Sequence, residues 1–222
     1  MAEVLQLKPK ESSFFQMARN VTGRRLDIIF VCEGKRDSEV LKGVIGKIFE
    51  STKNMAVTDC EGKDAVTEIA KDIAALASVS RTLKTLPIVI DADNYSPVER
   101  ARAIANSLQA RANIDIEMTE VCEDIFELQL QGFSVKVFVK VAGDFSLPYK
   151  KHAIDDHVLR LLLLENLVEM EKIKKYDTAK ECVDEFIESS STTVKELILN
   201  AQLENVQDAF ENLIKYLKTV GI

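Results

Sequence analysis

Two short acidic segments carry the residue types and spacing that chemistry needs. Glu33-Gly34-Lys35-Arg36-Asp37 follows the apolar run Leu26–Cys32, and Asp91-Ala92-Asp93 closes a second apolar run that starts at Leu86. Carboxylates gathered in one place repel each other unless they are protonated or bridged by a cation. A hard, oxygen-seeking divalent ion, Mg²⁺ or Mn²⁺, resolves that conflict. Such an ion keeps several waters and accepts substrate phosphate as a further ligand. On this reading Glu33, Asp91 and Asp93 are the expected metal ligands. Gly34 lets backbone amides approach an anion at the start of the next helix, and Lys35 and Arg36 add positive charge beside it. Asp37 is placed to cap that helix or to orient Lys35. Gly34, Lys35, Arg36 and Asp37 together form the expected phosphate-binding or nucleic-acid-binding segment. The bland reading is a polar turn at the end of a strand, with Glu33 an unrelated loop acid. Two acidic strand ends occurring together favour metal-assisted phosphoryl chemistry.

The flanking pattern supplies elements that could position these residues. Leu26–Cys32 is a continuous, β-branched run suited to a strand covered on both faces. After the turn, Ser38 is an N-cap candidate for a helix with Leu41, Val44, Ile45 and Ile48 on one face. The unit repeats as a strand over Asn54–Cys60, a turn at Glu61-Gly62-Lys63, and a helix carrying Val66, Ile69, Ile73 and Leu76. A third strand is predicted over Leu86–Asp93. Ser96-Pro97-Val98-Glu99 then reads as a capping box with Pro at the first helical position, and that helix should run to about Arg111. Further strands are expected near Ile114–Thr119 and Ser134–Val141. Beyond Gly143 the period is helical: Ala153–Ile173, Ala179–Glu188 and Val194–Leu217. The expected fold is α/β, a mainly parallel Rossmann-like sheet with helices on both faces and an α-helical C-terminal extension. Its parts are an N-terminal arm (1–25), the α/β domain (26–143) and the extension (144–222). Ligands of such open sheets bind beyond the C-terminal ends of the strands, where the acids lie.

Composition narrows the setting. The 222 residues carry a formal charge of −7. The acidity is concentrated late: from His152 onward 14 acidic residues face 8 basic ones, whereas Met1–Gly43 holds 8 basic and 6 acidic. A chain this acidic needs metal ions or a local basic patch to hold a phosphate backbone. No apolar run approaches the ~18–20 residues of a membrane span. The opening MAEVLQLKPKESS lacks the apolar core of a signal peptide. Cys32, Cys60, Cys122 and Cys182 are scattered without a CxxC pair, which speaks against a disulfide scaffold or a zinc ribbon. The expected location is the cytoplasm.

The EGxxD segment Glu33–Asp37 after one apolar strand, with Asp91-Ala92-Asp93 after another, resembles the Toprim domain, the topoisomerase–primase fold, across approximately Leu26–Val141. Within that family it is most similar to the small stand-alone archaeal and bacterial type. The resemblance implies that Glu33 acts as a general acid or base, and that Asp91 and Asp93 hold Mg²⁺ with Glu33 sharing the ion. It implies a DNA or RNA partner and phosphodiester hydrolysis or transfer, as by a nuclease or a nucleotidyl or phosphoryl transferase. The zinc module of bacterial primases, a topoisomerase cleavage domain and a Walker A sequence have no counterpart here, so strand passage and complete primase activity are not implied. Two other readings stay open: a non-catalytic nucleic-acid-binding or assembly module that keeps the fold, and a nucleotide-binding regulatory domain. The apolar helical tail, with Leu161–Leu164, suits a buried helix or a homodimer seam. Tyr95 reads as a stacking or packing residue rather than a nucleophile. Gly62-Lys63 reads as a phosphate contact or an ordinary turn. His152 and His157, with Asp155 and Asp156, read as an exposed helix start rather than as groups that reach the cation from the extension.

Overall fold

The computed structural model describes residues 4–8, 19, 21–60 and 62–222. The strands are β1 (Val4–Leu7), β2 (Ile28–Cys32), β3 (Met55–Asp59), β4 (Thr85–Asp91), β5 (Ile116–Cys122), β6 (Ile125–Leu130) and β7 (Lys136–Ala142). They form a single seven-stranded sheet in the order β1-β3-β2-β4-β7-β6-β5. The first five in that order run parallel, and β6 and β5 add an antiparallel edge beyond β7. The architecture is therefore α/β, mostly parallel and consistent with a Rossmann-like layering. Strand β1 lies within the segment read as an arm, where parallel pairing with β3 gives it an edge position. Phe14, Phe15 and Met17, around which the N-terminal segment reads as an arm or a short helix, lie outside the described residues, as does Glu61.

Three layers follow from the burial pattern. Every residue of β2 is buried, so the strand needs cover on both faces. Ile28, Phe30 and Cys32 meet helix α1 (Lys35–Ile48) and the C-terminal helices. Ile29 and Val31 meet α2 (Lys63–Val79) and α3 (Pro97–Ala112). The C-terminal helices are α4 (Ile154–Leu164), α5 (Met170–Ile173), α6 (Ala179–Ser190), α7 (Val194–Asn200), α8 (Leu203–Ala209) and α9 (Glu211–Thr219). They share one continuous apolar core with α1 and the sheet. Tyr216 of α9 is fully buried, and its hydroxyl meets the carbonyls of Ile88 and Phe138 at 3.1 and 3.0 Å, fastening the extension to β4 and β7. Among the described residues no helix is long and apolar enough to cross a membrane.

The two helices that leave the central strands go opposite ways. Helix α1, after β2, packs on one face, and α3, after β4, packs on the other. A parallel sheet opens a crevice at the point where successive connections diverge in this way. That point lies between the C-terminal ends of β2 and β4, where Glu33 and Asp91 sit.

Gly143, just past β7, packs against His152, which lines the crevice. Its φ of +154° and the His152 Cβ only 2.6 Å from where a Cβ would stand leave no room for a side chain. Replacing Gly143 with Ala pushes His152 away and is expected to cost about 2 kcal/mol, lowering the melting temperature by about 4–8 °C. A thermal melt that superimposes on the wild-type curve would show the contact to be soft.

Candidate functional site at the carboxyl ends of the central strands

Glu33 is the first residue after β2. Its N–H donates to the Val89 carbonyl at 3.1 Å, and its own carbonyl accepts from Gly62 N–H at 3.0 Å. The backbone is thus tied to neighbouring strands on both sides. The ends of β2 and β3 are joined also by Cys60 N–H to the Cys32 carbonyl at 3.0 Å. The Glu33 carboxylate reaches back across β4: Oε2 accepts from Asp91 N–H at 3.3 Å and from Arg100 Nη2 at 3.0 Å. Arg100, on the first turns of α3, is 5% exposed. Its Nε donates to the Asp91 carbonyl at 2.8 Å, and Nη2 lies 3.7 Å from Asp93 Oδ2.

Asp91 and Asp93 do not project together from one extended strand, as their spacing suggests. Strand β4 ends at Asp91, and Asp93 has a φ of +54°. Its N–H and carbonyl pair with His152, each at 2.9 Å, in an isolated bridge to the segment before α4. The chain turns there, which sends the Asp93 carboxylate towards Arg100. Asp91 points elsewhere: its Oδ1 accepts from Ile154 N–H at 2.8 Å, at the head of α4.

Asp37 takes a larger part than sequence reasoning assigned to it. Helix α1 starts at Lys35, earlier than the Ser38 cap predicted. Asp37 Oδ2 accepts from Gly34 N–H at 2.8 Å, while Ser38 lies inside the first turn and donates to the Lys35 carbonyl at 2.8 Å. Among the described residues Asp37 Oδ1 is buried without a hydrogen-bond partner. Burial, then the charges of Asp91, Glu33 and Asp155, hold the Asp37 carboxyl well above the usual carboxylate range. Burial raises Asp91 to about 7, and Glu33, Asp155 and Asp93 push the same way against the Ile154 hydrogen bond. Burial also raises Asp155 to about 6, although Arg36 opposes it.

The basic residues are disposed differently from expectation. Lys35 extends into solvent with its side chain 82% exposed and pairs with Glu39 at 3.4 Å. Arg36 is held down: its guanidinium lies 3.5 Å from Asp155 Oδ1 of α4 and bonds Asp184 of α6. It joins the strand–helix turn to the extension rather than standing ready for phosphate. His152 and His157 are buried, not exposed. His152 Nδ1 lies 2.9 Å from Asp156 Oδ2, and burial lowers His157 to about 4. Lys63, read with Gly62 as a phosphate contact or an ordinary turn, follows a glycine whose φ is +121°; its side chain lies outside what the structure describes.

Together these groups line a cleft of about 730 Å³. Its acidic floor holds Glu33, Asp37, Asp91, Asp93 and Asp155, and its basic members are Lys35, Arg36, Lys151 and Lys180. Thr178, Thr193 and Val194 of the extension form the opposite wall. The site is therefore shared between the sheet and the C-terminal helices. Among the described residues no group of three or more His, Cys, Asp or Glu side chains is arranged to hold a metal ion. Arg100, between Glu33 and Asp93, occupies the place that the expected trio reserves for a cation. The donor chemistry of Glu33, Asp91 and Asp37, which line the cleft together, still suits a hard ion. The charge of Asp91 helps to raise the Asp37 carboxyl, and Asp37 Oδ1 is an unmatched oxygen among the described residues.

Residues 27–220 match the model of a family described as a protein of unknown function (DUF3226). No curated protein and no solved structure matches the chain.

Proposed function

This chain belongs to the DUF3226 family, and from its cleft we propose that it is a Toprim-like protein acting on the phosphodiester bonds of DNA or RNA with Mg²⁺ or Mn²⁺. The observation that carries the reading is a pair of buried acids beside Glu33: Asp91 at the end of β4 and Asp37 in the first turn of α1, both with carboxyls raised above the usual range, Asp37 in part by the charge of Asp91. Such a pair stores the electrostatic conflict that a divalent cation relieves. Asp91 and Asp37, with Glu33, are the residues that would hold the ion; Asp93 is turned towards Arg100. When bound, the ion would neutralise charge on the phosphate oxygens.

The chain's own groups supply the rest. Glu33, tied to Asp91 N–H and Arg100, has a fixed carboxylate at the cleft wall and serves to move the proton of the attacking hydroxyl or water. Lys35, Lys151 and Lys180 of the cleft hold the backbone of the polymer. The helical extension opposite excludes bulk water from part of the cleft.

The test is an incubation of single-stranded and duplex DNA and RNA with the protein in Mg²⁺, in Mn²⁺ and in chelator. Cleavage or transfer is expected only with the ion, and Glu33→Gln is expected to abolish it. Titration calorimetry with Mg²⁺ alone reads the site independently of turnover. Absence of both turnover and ion binding would remove the reading. One observation favours a second reading, a non-catalytic nucleic-acid-binding module: Arg100 already satisfies Glu33 and Asp93 with a fixed cation. Polymer binding that persists in Glu33→Gln, with no turnover in the wild type, would select it.

A further inference from the structure

Breaking a phosphodiester bond leaves negative charge on the departing oxygen, and a positioned proton donor lowers that barrier. Glu33 serves the attacking side. His152 lines the same cleft and is arranged to serve the departing side. Its backbone N–H and carbonyl pair with Asp93, each at 2.9 Å. Two positions on, Ile154 N–H donates to Asp91 Oδ1 at 2.8 Å, so this segment is anchored at the end of β4. The ring is fixed as well. Nδ1 lies 2.9 Å from Oδ2 of Asp156, a buried side chain in the first turn of α4. The same oxygen accepts from Asp144 N–H at 3.0 Å and from Ala153 N–H at 3.3 Å. An oxygen that accepts two amide protons has none of its own to give, so Nδ1 carries the hydrogen and donates it. The Phe145 ring, its centroid 4.5 Å from that of the imidazole, holds the ring from another side. Nε2 remains. Among the described residues it has no hydrogen-bond partner, and it is not sealed from solvent. A buried carboxylate that sets the tautomer and direction of an imidazole, and leaves Nε2 free to exchange a proton, is the arrangement that general acid–base catalysis uses.

We infer that His152 is a catalytic residue whose Nε2–H gives its proton to the oxygen leaving phosphorus. This rests on the proposed phosphodiester reaction and adds the group of its departing side. In hydrolysis the water oxygen bonds phosphorus while one of its protons passes to Glu33. The bond from phosphorus to the ester oxygen breaks, and its electron pair stays on that oxygen. The proton from His152 Nε2 makes the departing oxygen a hydroxyl. Glu33 then releases its proton to solvent and His152 regains one, which restores both groups. Asp156 touches no reacting atom. It is a positioning residue that keeps Nδ1–H turned inward and Nε2 towards the cleft.

The test compares two strands of one sequence in Mg²⁺ or Mn²⁺. One is ordinary; in the other, sulfur replaces the bridging oxygen that the wild-type products show to be the leaving atom. Sulfur departs as a thiolate and needs no proton donor, because thiols are far more acidic than alcohols. His152→Gln is expected to slow cleavage of the ordinary strand about 10²- to 10⁴-fold and to cut the sulfur-bridged strand at close to the wild-type rate. Equal loss on both strands, or no loss on either, overturns the assignment and leaves metal-dependent cleavage standing. A wild type that cleaves neither strand overturns the assignment together with the proposed function. Because His152 packs against Gly143, a readout on the unaltered protein accompanies the variant. The chain has two histidines, so isotope-labelled histidine gives two imidazoles to follow by nuclear magnetic resonance. The neutral His152 ring is expected to carry its hydrogen on Nδ1 and to have a bare Nε2. A neutral ring with its hydrogen on Nε2 would show that Asp156 does not position it, and the assignment would fall without any measurement of turnover.

Discussion

Asp91→Asn is expected to melt higher than the wild type at pH 8 without divalent ions, and to lose turnover about 10²-fold or more with them. The carboxyl of Asp91 is raised to about 7 by burial, then by Glu33, Asp155 and Asp93. A carboxyl raised in the folded state favours folding while it is protonated. That contribution is complete below the ordinary carboxyl range and is lost as pH climbs through about 7. A rise from the ordinary value to about 7 bounds the loss at about 4 kcal/mol, and sharing of the proton with Asp37 and Asp155 reduces it. About 2 kcal/mol, or about 4–8 °C in melting temperature, is the expected gain at pH 8. Asparagine keeps an oxygen for the Ile154 N–H that Asp91 now accepts at 2.8 Å, so the head of α4 stays docked. The advantage should shrink towards pH 5. Mg²⁺ should stabilise the wild type and do little for the variant. A variant that melts below the wild type at pH 8, or that keeps full turnover, would show Asp91 to be an ordinary buried hydrogen-bond acceptor.

How far the chain's pattern reveals this site depends on whether a feature is local. Strands β2 and β4 are legible because both faces are buried, which turns alternation into continuous apolar runs. The Ser96–Glu99 capping box is legible because all its partners lie within four residues. Strand β6 escaped notice because Ile125–Leu130 follows the polar Glu123-Asp124 pair and adjoins the exposed edge strand β5. The last helical stretch, read as unbroken over Val194–Leu217, is three helices: Ala201 takes an extended conformation with no Gly or Pro to announce it. Glu33 and Asp91 could be found as acids at strand ends. The partners that decide their chemistry could not. Arg100 reaches Glu33 across 67 positions, and the head of α4 reaches Asp91 across 63. Arg36 reads as a free cation in sequence and becomes a strut only once α4 and α6 fold over the turn. The burial of His152 has the same origin, since the bridge to Asp93 brings it in from a helix start that looks exposed.

The second large effect falls on Arg100. Arg100→Leu is expected to destabilise the protein by about 3 kcal/mol, or about 6–12 °C in melting temperature. The side chain is 5% exposed, and its loss leaves Glu33 Oε2 and the Asp91 carbonyl without their guanidinium donors. The ion pair to Asp93, at 3.7 Å on a side chain 39% exposed, adds little to this total. Arg100→Lys should recover only part of the loss, because one ammonium on a flexible stem cannot reproduce the two fixed donor directions of Nε and Nη2. The discriminating measurement is a double-mutant cycle by denaturant unfolding. Glu33→Gln removes the charge that Arg100 compensates, so it should cost less in the Arg100→Leu background than in the wild type, with a coupling of about 1–3 kcal/mol. Additive costs would mean that the two side chains do not sense each other. Arg100 would then be a helix residue packed beside the site, and Glu33 would owe its position to the backbone of the strand ends alone.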